Sequence, residues 1–155
     1  MIHALAYVVF ILIFTSWIGR ELNKKYSLKT HWLWIAAAVI STLLGSYVYA
    51  AFDYDKFGNF VLHTSGGISA TFLFVYFIKT LKIKLPNWRL ALLILFAWVS
   101  MLGVMNELAE YFFELLGVDV FAFDTHDTWR DFVANTTGLL LAWAVLRFLQ
   151  LFDSK

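Results

Sequence analysis

Five apolar runs, each about as long as a lipid bilayer is thick, occupy most of this chain. They cover Ile2–Gly19, Trp32–Phe52, Phe60–Ile78, Leu90–Leu116 and Thr128–Phe152. A helix rises about 1.5 Å per residue, so roughly 20 apolar residues cross a hydrocarbon core of about 30 Å. Composition points the same way. Hydrophobic residues make up 61% and charged residues 15%, against about 45–50% and about 25% in soluble domains. The surplus apolar surface must face lipid. The chain therefore reads as an all-α, polytopic membrane helix bundle of about five transmembrane helices, with residues 1–155 forming a single transmembrane domain.

No basic residue precedes the first run, and no small-x-small cleavage pattern follows it. Arg20, Lys24, Lys25 and Lys29 come after it instead, so it reads as a retained helix and not a signal peptide. The connections are short and polar. Gly58 marks the loop before the third run, and Pro86, the only proline, marks the loop before the fourth. With no cysteine in the chain, disulfides and thiolate metal sites are excluded. A net charge of +1 offers no footprint for nucleic acid.

Basic residues set the orientation, because cytoplasmic loops carry the Lys/Arg excess. Arg20, Lys24, Lys25 and Lys29 fall in one connection, and Lys79, Lys82, Lys84 and Arg89 in another. Arg147 and Lys155 lie at the C-terminal end. Five alternating spans put all ten on one side and leave Lys56 and Arg130 for the other. The expected topology has the N-terminus outside and the C-terminus inside, in the cytoplasmic (inner) membrane. Trp17, Trp32, Trp34 and Trp88 then fall near the inner boundary, as an aromatic belt does.

The same alternation gathers nine of the eleven acids at the outer end, leaving only Glu21 and Asp153 inside. His63 and His126 join them there. Glu107, Glu110 and Glu114 have i, i+3, i+7 spacing, which places them on one helix face. A solvated helix end explains Glu114 well. Glu107 and Glu110 come about 18–21 residues into a helix that begins near Arg89, by the helical rise, and at that depth a carboxylate turns inward toward a partner. His63 sits beside Thr64, Ser65, Gly66 and Gly67, so it can be a packing residue or a ligand. Thr128 and Asp131 fit a capping box. Asn135, one turn deeper, caps nothing and needs an interhelical partner. Oxygen ligands with one imidazole suit a divalent cation, with His63, Glu107, Glu110 and Asp131 as the metal candidates. Lys56 and Arg130, with Asp127 nearby, could instead hold a phosphate head group.

At these residues the chain resembles the YjdF-like (DUF2238) and VanZ-like families of small membrane proteins. The likeness covers about residues 53–146. It is carried by Asp55-Lys56-Phe57-Gly58, Glu107-Leu108-Ala109-Glu110-Tyr111 and Asp127-Thr128-Trp129. Asn59 stands where the YjdF-like pattern has histidine, with His63 one turn later, and Arg130 stands where that pattern has an acid. The run Asp131…Asn135…Gly138 is similar to the VanZ-like ending. The resemblance implies a bacterial or archaeal cytoplasmic membrane and work at the cell envelope. It implies no particular reaction.

The expected function is an integral membrane protein of the cell envelope with an outer-facing acidic polar pocket. That pocket would bind a lipid head group, an envelope intermediate or a divalent cation through Lys56, His63, Glu107, Glu110, Asp127, Arg130, Asp131 and Asn135. One alternative is a membrane-embedded, metal-dependent enzyme acting on a lipid-linked substrate, with Glu107 or Glu110 as general base. Another is a structural subunit of a membrane complex. Expected partners are membrane lipids, other membrane proteins or a second copy of the chain.

Overall fold

A computed structural model describes residues 8–9, 12–13, 15–17, 20–21, 31–52, 55–117 and 125–149. The described residues are helical apart from short connections. Helical residues 8–9, 12–13, 15–17 and 20–21 mark α1. Four continuous helices follow: α2 (Trp32–Ala51), α3 (Lys56–Thr80), α4 (Trp88–Leu115) and α5 (Thr125–Phe148). Of these, α2, α3 and α4 are long and apolar enough to cross a membrane. At 24 residues α5 is long enough as well, but Asp127, Arg130 and Asp131 interrupt its first two turns. Most of the expected first span, Ile2–Gly19, lies outside the described residues.

The central helix is α3, which packs along α2 on one side and α5 on the other. α4 leans on α5 and touches α3 more lightly. Small residues explain this arrangement, because in lipid close backbone approach and hydrogen bonds hold helices together better than apolarity does. Gly45 of α2 faces Ser65 of α3 with no room for a side chain between them. The Ser41 hydroxyl donates to the Ser65 carbonyl at 3.0 Å. On the other face, α3 and α5 cross almost backbone to backbone. A Cβ on Gly67 would overlap the Asn135 carbonyl, and one on Gly138 would overlap the Thr64 carbonyl.

Away from this crossing, α3, α4 and α5 close over an apolar core that includes Ala70, Phe74, Leu95, Val99, Leu139 and Trp143. Trp98 packs against it and donates its indole N–H to the Ala70 carbonyl at 3.1 Å. The Tyr76 hydroxyl donates to the Thr15 carbonyl at 3.2 Å, which ties α1 to α3.

Two boundaries differ from the sequence expectation. Gly58 is not a loop residue. It is buried in the first turn of α3 and packs on Tyr49. The Asp55 carboxylate caps that turn by accepting from the Gly58 N–H at 2.6 Å, and this starts the helix before the apolar run begins. α5 starts at Thr125, three residues ahead of the expected Thr128. Thr128 is therefore not an N-cap, and Asp131 lies too deep in the helix to complete a capping box.

Candidate functional site

The α3–α5 crossing fixes what sits beside it. His63 adjoins Thr64, the residue against Gly138, and Asp131 lies one turn from Asn135, the residue against Gly67. Two backbones in contact thus bring an imidazole and a carboxylate together. His63 Nε2 lies 3.3 Å from Asp131 Oδ2, with side chains 11% and 5% exposed. The other Asp131 oxygen accepts from the Asn59 amide at 3.1 Å. Asn59 is buried one turn before His63 on α3, so α3 grips Asp131 with two successive turns.

The third member comes from α4. One oxygen of Glu107, one nitrogen of His63 and one oxygen of Asp131 all lie within 4.8 Å of one another. Glu107 Oε1 is buried and has no hydrogen-bond partner among the described residues. A buried carboxylate oxygen without a donor is costly, and beside a second carboxylate it is also repelled. Thr128 hydrogen-bonds the Glu107 side chain, and a shared proton or a cation would relieve the remaining repulsion.

The remaining expected residues fall around this centre. Glu110 is outside the three-residue set, and its Oε1 accepts from the Asn106 amide at 2.6 Å. Its charge, with those of Glu107 and Asp127, still bears on Asp131. Asp127 is buried and pairs with Arg130 one turn on. That pairing spends the Arg130 charge locally, although its Nε finds no partner among the described residues. Lys56 is exposed at the start of α3, and Glu114 and His126 are exposed as well. Among the described residues, Asn135 does not have the interhelical hydrogen bond its depth suggested. Its Oδ1 lies 3.5 Å from where a Gly66 side chain would begin, and its Nδ2 lies 3.3 Å from the same point at Gly103. Asp119 and Asp124 lie outside the described residues.

Asn59 is the participant that sequence reasoning passed over. The only signal was its place, one helical turn before His63, where the resembling pattern has histidine.

These features define a class: a helical membrane protein whose α3, α4 and α5 converge on a buried, acid-rich polar cluster. The family model described as "Predicted membrane protein (DUF2238)" matches residues 1–151, and the chain belongs to that family. No curated protein and no solved structure matches it.

Proposed function

We propose that this membrane protein binds a divalent cation between α3, α4 and α5, with His63, Glu107 and Asp131 as its ligands. The convergence of those three donors within 4.8 Å carries the reading. Bonds of about 2.0–2.2 Å would draw ligand atoms to roughly 3–4 Å apart on one ion, which small side-chain rotations achieve. A cation would satisfy the buried Glu107 oxygen and neutralise the surplus of Glu107, Glu110 and Asp131 over the single Arg130, already matched by Asp127. Mixed imidazole and carboxylate donors favour a transition-row ion such as Mn²⁺ or Zn²⁺ over Ca²⁺. The same charge balance disfavours direct binding of a phosphate, since Arg130 is engaged and Lys56 is exposed away from the cluster. Asn59, which holds Asp131, acts as a positioning residue.

In this proposal five helices span the inner membrane and the site faces outward, as the ten-to-two division of basic residues supports. Envelope-related work, implied by the likeness to VanZ-like proteins, belongs to the same proposal. A reporter fused after Lys155 should read cytoplasmic, and a periplasmic reading would reverse the orientation.

The test of the site is Mn²⁺ binding to the purified full chain, followed by electron paramagnetic resonance. One ion should bind per chain. Glu107→Gln, Asp131→Asn and His63→Ala should each weaken binding by more than about tenfold, and Asn59→Leu by roughly tenfold, as outer-shell partners do. Wild-type affinity in all three ligand variants would remove the site.

A further inference from the structure

One turn from the cation cluster, toward the Trp98 end, α4 and α5 part to leave a cleft of about 240 Å³. Phe96, Val104 and Phe132 give it apolar walls, and Ser100, Asn135 and Thr136 supply its polar atoms. Phe96 and Val104 are 46% exposed, so the cleft opens sideways on a face that meets lipid in a membrane protein. Ligand pockets for whole small molecules run to about 300–1,000 Å³. This cleft is smaller and fits a length of one hydrocarbon chain.

Its polar side is unusual for such a place. The Asn135 carboxamide has no hydrogen-bond partner among the described residues, and an amide in apolar surroundings gains by finding one. Its Nδ2 lies against Gly103, where a side chain would begin 3.3 Å away. Asn135 is itself one of the residues that line the cleft, so its carboxamide is within reach of a guest seated there. An ester carbonyl is the acceptor that an acyl chain brings with it.

The cleft lies one helical turn from the cluster on both of its walls: Asn135 follows Asp131 by four residues on α5, and Val104 precedes Glu107 by three on α4. An ion with three protein ligands keeps open positions for further oxygens.

We infer that the α4–α5 cleft seats the ester-linked beginning of an acyl chain of a phosphate-bearing glycerolipid, whose phosphate is held by the cation at His63, Glu107 and Asp131. This rests on the cation reading above. The lipid enters from the side, the Asn135 amide donates to its ester carbonyl, and the metal supplies the positive charge that Arg130 does not.

Native mass spectrometry of the full chain in detergent tests it, with Mn²⁺ and with either phosphatidylglycerol or diacylglycerol of the same acyl chains. The wild type should retain one phosphatidylglycerol, at roughly ten times the occupancy of diacylglycerol, a preference of about 1.4 kcal/mol. Chelation should erase that preference. Ser100→Leu fills the cleft from its α4 wall and should lose the lipid while keeping Mn²⁺. Val104→Trp covers the mouth from an exposed position, so it should do the same without straining the helix contact. Mn²⁺ bound without lipid preference in the wild type would overturn this inference and leave the cation site standing. No Mn²⁺ bound would remove the cation reading itself. Undiminished lipid retention in the Val104→Trp protein would show that the lipid sits elsewhere.

Discussion

The same three helices meet in two different ways at the two ends of this bundle. At the Trp98 end, α3, α4 and α5 interlock through apolar side chains, and Leu95 and Leu139 are fully buried. At the His63 end they meet through an imidazole, two carboxylates and an amide, and a buried carboxylate oxygen goes without a partner among the described residues. The Trp98 end gains by being closed. At the His63 end a proton or a cation would relieve the crowding of the carboxylates. An apolar core and a polar cluster thus occupy opposite ends of one set of helices, and the glycine crossing of α3 and α5 lies between them.

Because that crossing joins both ends, breaking it should have the largest effect. Gly138→Leu would drive a side chain into the Thr64 carbonyl, where backbone and not a flexible side chain stands in the way. Overpacking of this kind costs about 1–3 kcal/mol or more, and here both ends suffer together. The expected result is loss of a monodisperse folded protein on size-exclusion chromatography. A well-folded Gly138→Leu protein with normal Mn²⁺ affinity would mean that the crossing does not position the site.

A cut confined to the Trp98 end should be smaller and should spare binding. Leu95→Ala leaves a cavity among Phe74, Leu139 and Trp143. Leu→Ala substitutions cost about 2–5 kcal/mol in water-soluble cores. The value here should be near 2 kcal/mol, because lipid is as apolar as the core and only packing is lost. Thermal unfolding in detergent measures it, with Mn²⁺ affinity unchanged in the folded fraction. A parallel loss of affinity would make the two ends one cooperative unit.

How far this division could be read from the sequence depends on the range of each interaction. The apolar runs place α2, α3 and α4 within a few residues, since span length is a local property. The starts of α3 and α5 shift because they depend on polar caps and not on the apolar pattern, as Asp55 shows. Glu107 and Glu110 share a face by spacing, yet i, i+3 neighbours differ by about 60° around a helix of 3.6 residues per turn. That difference turns Glu107 to His63 and Asp131 and leaves Glu110 with Asn106. Asn59 could not be singled out locally, because Asp131 is 72 residues away. The pairing of Gly67 with Asn135, and of Gly138 with Thr64, which sets the register between the two helices, is equally non-local.

A change at the His63 end should show the opposite sign from one at the Trp98 end. Glu107→Gln removes a charge that repels Asp131 while keeping nearly the same shape. Without metal, thermal stability should hold or rise, because two carboxylates this close repel each other. With Mn²⁺ present, the wild type should gain stability by mass action, and the variant should gain much less. A metal-free loss of several kcal/mol would make Glu107 a structural member of the core.

The smallest effect is expected where the closed end reaches its surface. The guanidinium of Arg147, in the last turn of α5, lies 5.6 Å from the Trp88 ring centre at the start of α4, and Arg89 lies 5.5 Å from the same ring. A cation over an indole face contributes about 0.5–1 kcal/mol at an exposed site, and Trp88 is 40% exposed. Arg147→Gln removes one of two cations from the ring, and Arg89 continues to hold it. The expected loss is therefore near the lower bound, about 0.5 kcal/mol, measured by thermal unfolding at low salt. A double substitution with Arg89→Gln should cost more than the sum of the single ones, because each arginine covers for the other. Strict additivity would show that the two arginines act on α4 and α5 separately, and that the ring does not tie the end of α5 to the start of α4.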